Sequence, residues 1–142
     1  MKKLITLIAI AGFFTHVHAQ KVDLKDVPAI VTDAFAKAYP TIKDANWNKD
    51  GNNYAANYTE YKLDKSITWD ASGDLIGTNE EIIISALPIV LMVYVKNNYR
   101  ENIVKEASKN TDAHGTVTYK AEITEMKLFF DSKGNFLKSV YN

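Results

Sequence analysis

The sequence has 142 residues, 17 basic and 17 acidic side chains, three histidines and no cysteine. The even charge excludes the clustered basic face that nucleic-acid binding needs, and the lack of cysteine excludes disulfides and lipid attachment through a thiol. Stability must come from packing alone.

Residues 1–19 read as a secretory signal peptide. Lys2 and Lys3 form its basic start, Leu4 to Phe14 its apolar middle, and Val17 and Ala19 the small residues before a cleavage site. The apolar run falls short of the roughly 20 residues that span a bilayer. Cleavage after Ala19, with no stable membrane anchor left, is therefore expected, and the address is periplasmic or secreted. The remaining 123 residues suit one domain with a sizeable core. Cleavage removes Lys2, Lys3, His16 and His18, which leaves 15 basic against 17 acidic side chains and His114 as the sole histidine.

A helix is predicted over residues 27–39. Val27, Ile30, Val31, Ala34, Phe35 and Ala38 make one apolar stripe at helical spacing. Asp26 is the expected N-cap, Pro28 lies in the first turn, and Pro40 ends the helix because a residue before proline avoids the α region. Strands follow over 45–48, 54–62, 66–70 and from 75 towards 84. Asp50-Gly51-Asn52-Asn53 and Gly73 mark turns between them. Tyr54, Ala56 and Tyr58 share one strand face; Ala55, Asn57, Thr59 and Tyr61 share the other.

A second helix begins near Ser85, with Leu87, Val90, Leu91, Tyr94, Val95 and Asn98 as its stripe. Ile89, Met92 and Val93 add apolar side chains elsewhere, which predicts burial on more than one side, between two halves of the molecule. Strands are then expected over 103–108, from 117 through 130, and over 135–141, with a turn at Thr111-Asp112-Ala113-His114-Gly115.

The chain thus repeats itself. Val27-Pro28 to Tyr39 answers to Leu87-Pro88 to Tyr99, and Trp69-Asp70-Ala71-Ser72-Gly73-Asp74-Leu75 answers to Phe130-Asp131-Ser132-Lys133-Gly134-Asn135-Phe136. The expected fold class is α+β, two tandem repeats of one helix on an antiparallel sheet of about four strands. Residues 1–19 are the signal peptide, 20–79 the first repeat and 80–142 the second, forming one continuous unit. The order of a signal peptide, Val27-Pro28-Ala29, a helix ending in Tyr39-Pro40, a Trp47 strand, Asp50-Gly51 and the Trp69–Leu75 hairpin resembles the PepSY-like proteins of the periplasm, related in fold to the β-lactamase inhibitory protein. The resemblance covers residues 22–142 and implies helix-on-sheet repeats and a binding or inhibitory role. Relatives include propeptide domains that restrain peptidases. It supplies no catalytic group. The second copy departs from the first: Arg100 stands in place of Pro40, and no tryptophan matches Trp47.

Chemistry-bearing groups are few. Asp70-Ala71-Ser72-Gly73-Asp74 places oxygens at alternate positions, but an EF-hand loop needs glycine sixth, where Leu75 stands. A hairpin turn explains this segment and its counterpart at Asp131 better. One histidine without a companion makes no transition-metal site, and no serine has a nucleophile elbow. Glu80 and Glu81 are adjacent, hence on opposite strand faces; Glu122 and Glu125 likewise differ in parity. No catalytic residue, metal or cofactor is expected, and the chain is read as non-enzymatic. Aromatic residues remain. Trp47, Tyr54, Tyr58, Tyr61 and Trp69 are candidates for a partner-binding patch, since tryptophan and tyrosine are enriched at interface hot spots; the alternative is that they pack the sheet's covered face. The partner would be a protein or peptide, with a small ligand held by a carrier or sensor as the second reading.

Overall fold

The structure, a computed structural model, describes residues 19–142. The expected signal peptide lies outside the described residues apart from Ala19. Nine strands form one antiparallel sheet in chain order. They are β1 Gln20–Val22, β2 Asn46–Asp50, β3 Asn53–Glu60, β4 Leu63–Asp70, β5 Leu75–Ile82, β6 Glu106–Asp112, β7 Val117–Glu122, β8 Met126–Asp131 and β9 Phe136–Tyr141. Two helices, α1 Ala29–Ala38 and α2 Ile89–Asn98, complete the α+β fold.

Each helix begins differently from the sequence reading. Asp26 caps nothing, and neither helix starts where expected: Asp26 and Ser85 belong to short 3₁₀ turns, Leu24–Asp26 and Ile84–Ala86. Pro28 and Pro88 take the cap positions, with φ at −54° in both, so the proline ring helps set the chain's entry where no side-chain hydrogen bond does. Both helices end at a tyrosine, Tyr39 or Tyr99, with nearly the same backbone angles. The Tyr39 carbonyl accepts from the Ile42 N–H and the Tyr99 carbonyl from the Asn102 N–H. Pro40 is therefore not what stops the helix, because Arg100 occupies the same place in the second copy.

Val31 and Phe35 of α1 press onto Trp47, Ala56, Ile67 and Trp69; Leu91 and Val95 of α2 press onto Ala107, Ala121, Leu128 and Phe130. The register Ile67↔Thr78↔Thr111↔Val117 carries one sheet face from the first core to the second, so both helices cover the same face. Between them this face is polar, with Lys65, Thr78, Glu80 and Lys109 in succession on neighbouring strands. The two cores therefore stay separate over one continuous sheet. Burial of α2 between the repeats is overturned: Ile89 is 75% exposed, and Val90 and Val93 are exposed as well.

β5 pairs with β4 on one side and β6 on the other. It closes the first repeat and opens the second, crossing the expected boundary at 79/80. β6 starts later than the 103–108 expected from the apolar Ile103-Val104. Those two residues lie in the connection from α2, and the polar Ser108, Asn110 and Asp112 extend the strand along β5.

Candidate functional site

Strand alternation leaves the face opposite the helices uncovered. In the first repeat that face carries small polar residues with Asp64 and Glu81 among them, since successive strand residues point to opposite faces and the core takes the other one. Asn46, Asn57, Ser66 and Asn79 form one cross-strand row, joined at every step by the register. Ala55, Thr68 and Gly77 form the next row. Three adjoining depressions share these residues. The largest, about 640 Å³, is lined by Asn46, Asn57, Ser66 and Asn79 with Asp44 and Asp64. A second, about 250 Å³, shares Asn57 and Ser66 with it. A third, about 300 Å³, shares Asn79 with the first and Thr68 with the second. Together they make one open polar trough across β2 to β7.

The trough's floor is held by its own strands. Asn57 donates its side-chain N–H to the carbonyls of Asn46 (3.1 Å) and Ala55 (3.3 Å). The Thr59 hydroxyl donates to Asp64 Oδ1 at 2.8 Å, and the Asp64 N–H donates to Glu81 Oε2 at 3.0 Å. In the second repeat the same face carries Lys120, Glu122, Lys127 and Phe129 on β7 and β8. Lys120 Nζ lies 3.8 Å from Glu122. The uncovered face thus changes from carboxamides, hydroxyls and carboxylates on β2 to β5 to a mixed-charge surface on β7 and β8.

The five candidate aromatics separate. Trp47, Tyr54, Tyr58 and Trp69 lie beneath α1, all nine-tenths or more buried. Phe35 centres them, edge-on to Trp47 at 5.5 Å and to Trp69 at 5.9 Å. These four are corrected from partner-facing to core: the strand face they share is the one that α1 covers. Burial raises the Tyr58 hydroxyl above its usual pKa, against the opposing Lys65 ammonium. Lys65 in turn is held charged by its 2.8 Å hydrogen bond to Glu60, which raises it.

Tyr61 stands apart. It is 89% exposed at the tip of the β3–β4 hairpin, just beyond Thr59 at the trough's end. Tyr61 and Lys62 both adopt positive φ, 53° and 66°. That is the type I′ turn geometry favoured by Asn-Gly, and an outlier for a bulky side chain. The hairpin is also longer than its counterpart. Ala56 and Ala121 hold equivalent places, paired to Trp47 and Ile67 or to Ala107 and Leu128. From there β3 continues to Glu60, whereas β7 ends at Glu122.

The other candidates resolve into turns. Asp70 Oδ1 accepts the N–H groups of Ser72 and Asp74, and Asp131 Oδ1 those of Lys133 and Asn135, all within 3.0 Å. A third copy, Asp112 with His114 and Thr116, has the same bonds at 2.8 and 2.9 Å. The sequence reading matched only two copies, although Asp112-Ala113-His114-Gly115-Thr116 carries the same Asp–Gly spacing. The carboxylates are committed to backbone donors, and among the described residues no group of three His, Asp or Glu side chains could hold a metal. Glu80 and Glu81 face opposite sides. Glu80 pairs with Lys65 on the helix face, and Glu81 reaches Asp64.

The family described as "Putative beta-lactamase-inhibitor-like, PepSY-like" matches the chain twice, over residues 13–77 and 65–138. The chain belongs to this PepSY-like family. Solved structures share the fold of this PepSY-like chain. One, from Bacteroides eggerthii and described as a "putative periplasmic" protein, is 16% identical with a TM-score of 0.74 over 81% of this chain and 88% of its own. A DUF2874 family protein from Bacteroides uniformis is 17% identical with a TM-score of 0.73, over 80% and 88%. A BLIP-like protein from Bacteroides fragilis is 22% identical with a TM-score of 0.65, over 81% and 88%. Among curated proteins none matches. No helix of the described residues is long and apolar enough to cross a membrane.

Proposed function

We propose that this chain is a periplasmic, non-enzymatic module that binds a protein or peptide in the open polar trough, with Tyr61 as its anchor. The observation that carries the reading is the pairing of the trough with a preorganised tyrosine at its end. Carboxamides and hydroxyls suit the wet, hydrogen-bonded type of interface. An exposed tyrosine on a rigid tip adds contact area with little ordering entropy. Backbone held in the left-handed region costs about 1–2 kcal/mol per residue, and strain of this kind clusters at binding sites. The inhibitor-like description of the family supports an enzyme as partner, restrained by binding.

The test exchanges the tip for a relaxed one. Tyr61→Asn with Lys62→Gly relieves the strain and is expected to raise the melting temperature. Immobilised wild type should retain a partner from a periplasmic extract, identifiable by mass spectrometry, that this more stable variant loses. Equal recovery by both, or empty recovery by both, counts against the reading.

A second reading has its own observation. An apolar cleft of about 470 Å³ beside α1 is lined by Phe35, Tyr39, Ile42 and Trp47. A small apolar ligand held there makes the chain a carrier or sensor. A thermal-shift screen separates the two, since a ligand bound only by the folded state raises the melting temperature.

A further inference from the structure

The sheet has two edges, and they are not alike. β1 is three residues long, short enough to be a poor template. β9 runs six residues from Phe136 to Tyr141 and exposes Leu137, Val140 and Tyr141. The Asn142 N–H donates to the Glu125 carbonyl at 2.9 Å, towards β8. Backbone groups alternate along an antiparallel strand, so Val140 and Lys138 also bond inward, while Ser139 and Tyr141 present their N–H and C=O groups to the open edge.

The first repeat shows what such an edge takes. β9 corresponds to β5: Trp69 pairs with Leu75 as Phe130 pairs with Phe136, with a register shift beside each pair. The outer edge of β5 is covered by β6 from Gly77↔Asp112 to Ile82↔Ala107. The matching edge of β9 has no such neighbour among the described strands.

From this edge we infer that β9 pairs antiparallel with β9 of a second copy, joining two nine-stranded sheets across a two-fold axis. The strand is self-complementary in two of the registers that let the outward groups meet; a third, centred on Lys138, sets that lysine against its own copy and is disfavoured. Centred on Ser139, the pairing sets Lys138 opposite Val140 of the other copy and Leu137 opposite Tyr141. Centred on Val140, it sets Ser139 opposite Tyr141 and Val140 opposite itself. In neither does Lys138 oppose its own copy, so the repulsion that destabilises directly opposed like charges is avoided. A two-fold contact of this kind is isologous and closes on itself. The inference rests on the edge and is independent of the trough reading.

Sedimentation equilibrium of the purified protein tests it, together with hydrogen exchange. A monomer–dimer equilibrium is expected, with the Ser139 and Tyr141 amides becoming slower to exchange as concentration rises. Ser139→Pro removes an outward donor and spares the ladder to β8, a place where an edge strand tolerates proline. It should abolish the dimer and leave the circular dichroism unchanged. Tyr141→Pro acts on the same side and serves if the first variant does not fold. A dimer that survives a folded proline variant overturns the inference. So does a wild type that stays monomeric throughout, which leaves the edge to an extended segment of another protein.

Discussion

Phe35 and Tyr94 fill the same layer from different sides. In the first repeat Phe35 sits over Trp47, with Ala34 beside it, while Leu75, paired with Trp69, is exposed. In the second repeat these places are taken by Val95, Ala107, Tyr94 and Phe136. Tyr94 stacks on Phe136 at 4.7 Å and meets Phe130 edge-on at 5.6 Å. Aromatic bulk has moved from the centre of the core to its flank. That is how the second repeat does without a counterpart of Trp47, since an interior must stay close-packed. At the same scale, the turn carboxylates set an acid limit. The side-chain and backbone N–H groups of Asn135 hold Asp131 below the usual carboxylate value, and the Thr116 N–H does so for Asp112. A carboxyl lowered in the folded state stabilises above its ordinary pKa, and that contribution is lost as pH falls through the folded value. The melting temperature should therefore drop as pH falls below the ordinary carboxylate pKa of about 3.9, and the Asp112→Asn/Asp131→Asn double variant should flatten that part of the curve.

At the level of elements, Gly77 sits on β5 where β6 leaves no room for a side chain. A Cβ built there would lie 2.7 Å from the Thr111 carbonyl oxygen, a backbone atom fixed in the ladder. Gly77→Ala should therefore cost about 1–3 kcal/mol, as other overpacked sites do, and chemical denaturation would read it as a lower midpoint with an unchanged slope. A smaller loss would show that the two strands separate easily. Element types were legible in the sequence because Val31/Phe35 and Leu91/Val95 keep helical spacing and Tyr54/Ala56/Tyr58 keep strand alternation. The start of β6 was not, because Ile103 and Val104 look like strand while the paired residues Ser108 and Asn110 are polar, Ser108 even though it is buried. The trough was hidden for the same reason. Asn57, Ser66 and Asn79 read singly as solvated positions, and only register brings them into one row. Alternation put Tyr54 and Tyr58 on one face but did not say that α1 covers it, and it placed Tyr61 in the strand although β3 ends at Glu60, so four core aromatics were indistinguishable from an exposed patch.

For the whole molecule, the central fact is one strand with two owners. The cores are separate, yet β5 pairs with both β4 and β6. Losing the first repeat would strip one ladder from β5 and leave the second with a raw edge. The two halves should therefore melt together, with calorimetric and van't Hoff enthalpies equal; two resolved transitions would show that the β5–β6 ladder is too weak to couple them. The unequal cores have an optical consequence too. Trp47 and Trp69 are the chain's two tryptophans, and both lie in the first core. Indole emission therefore samples one half of the molecule only, while the tyrosine-bearing half around Tyr94, Tyr99 and Tyr119 stays dark to excitation at the red edge.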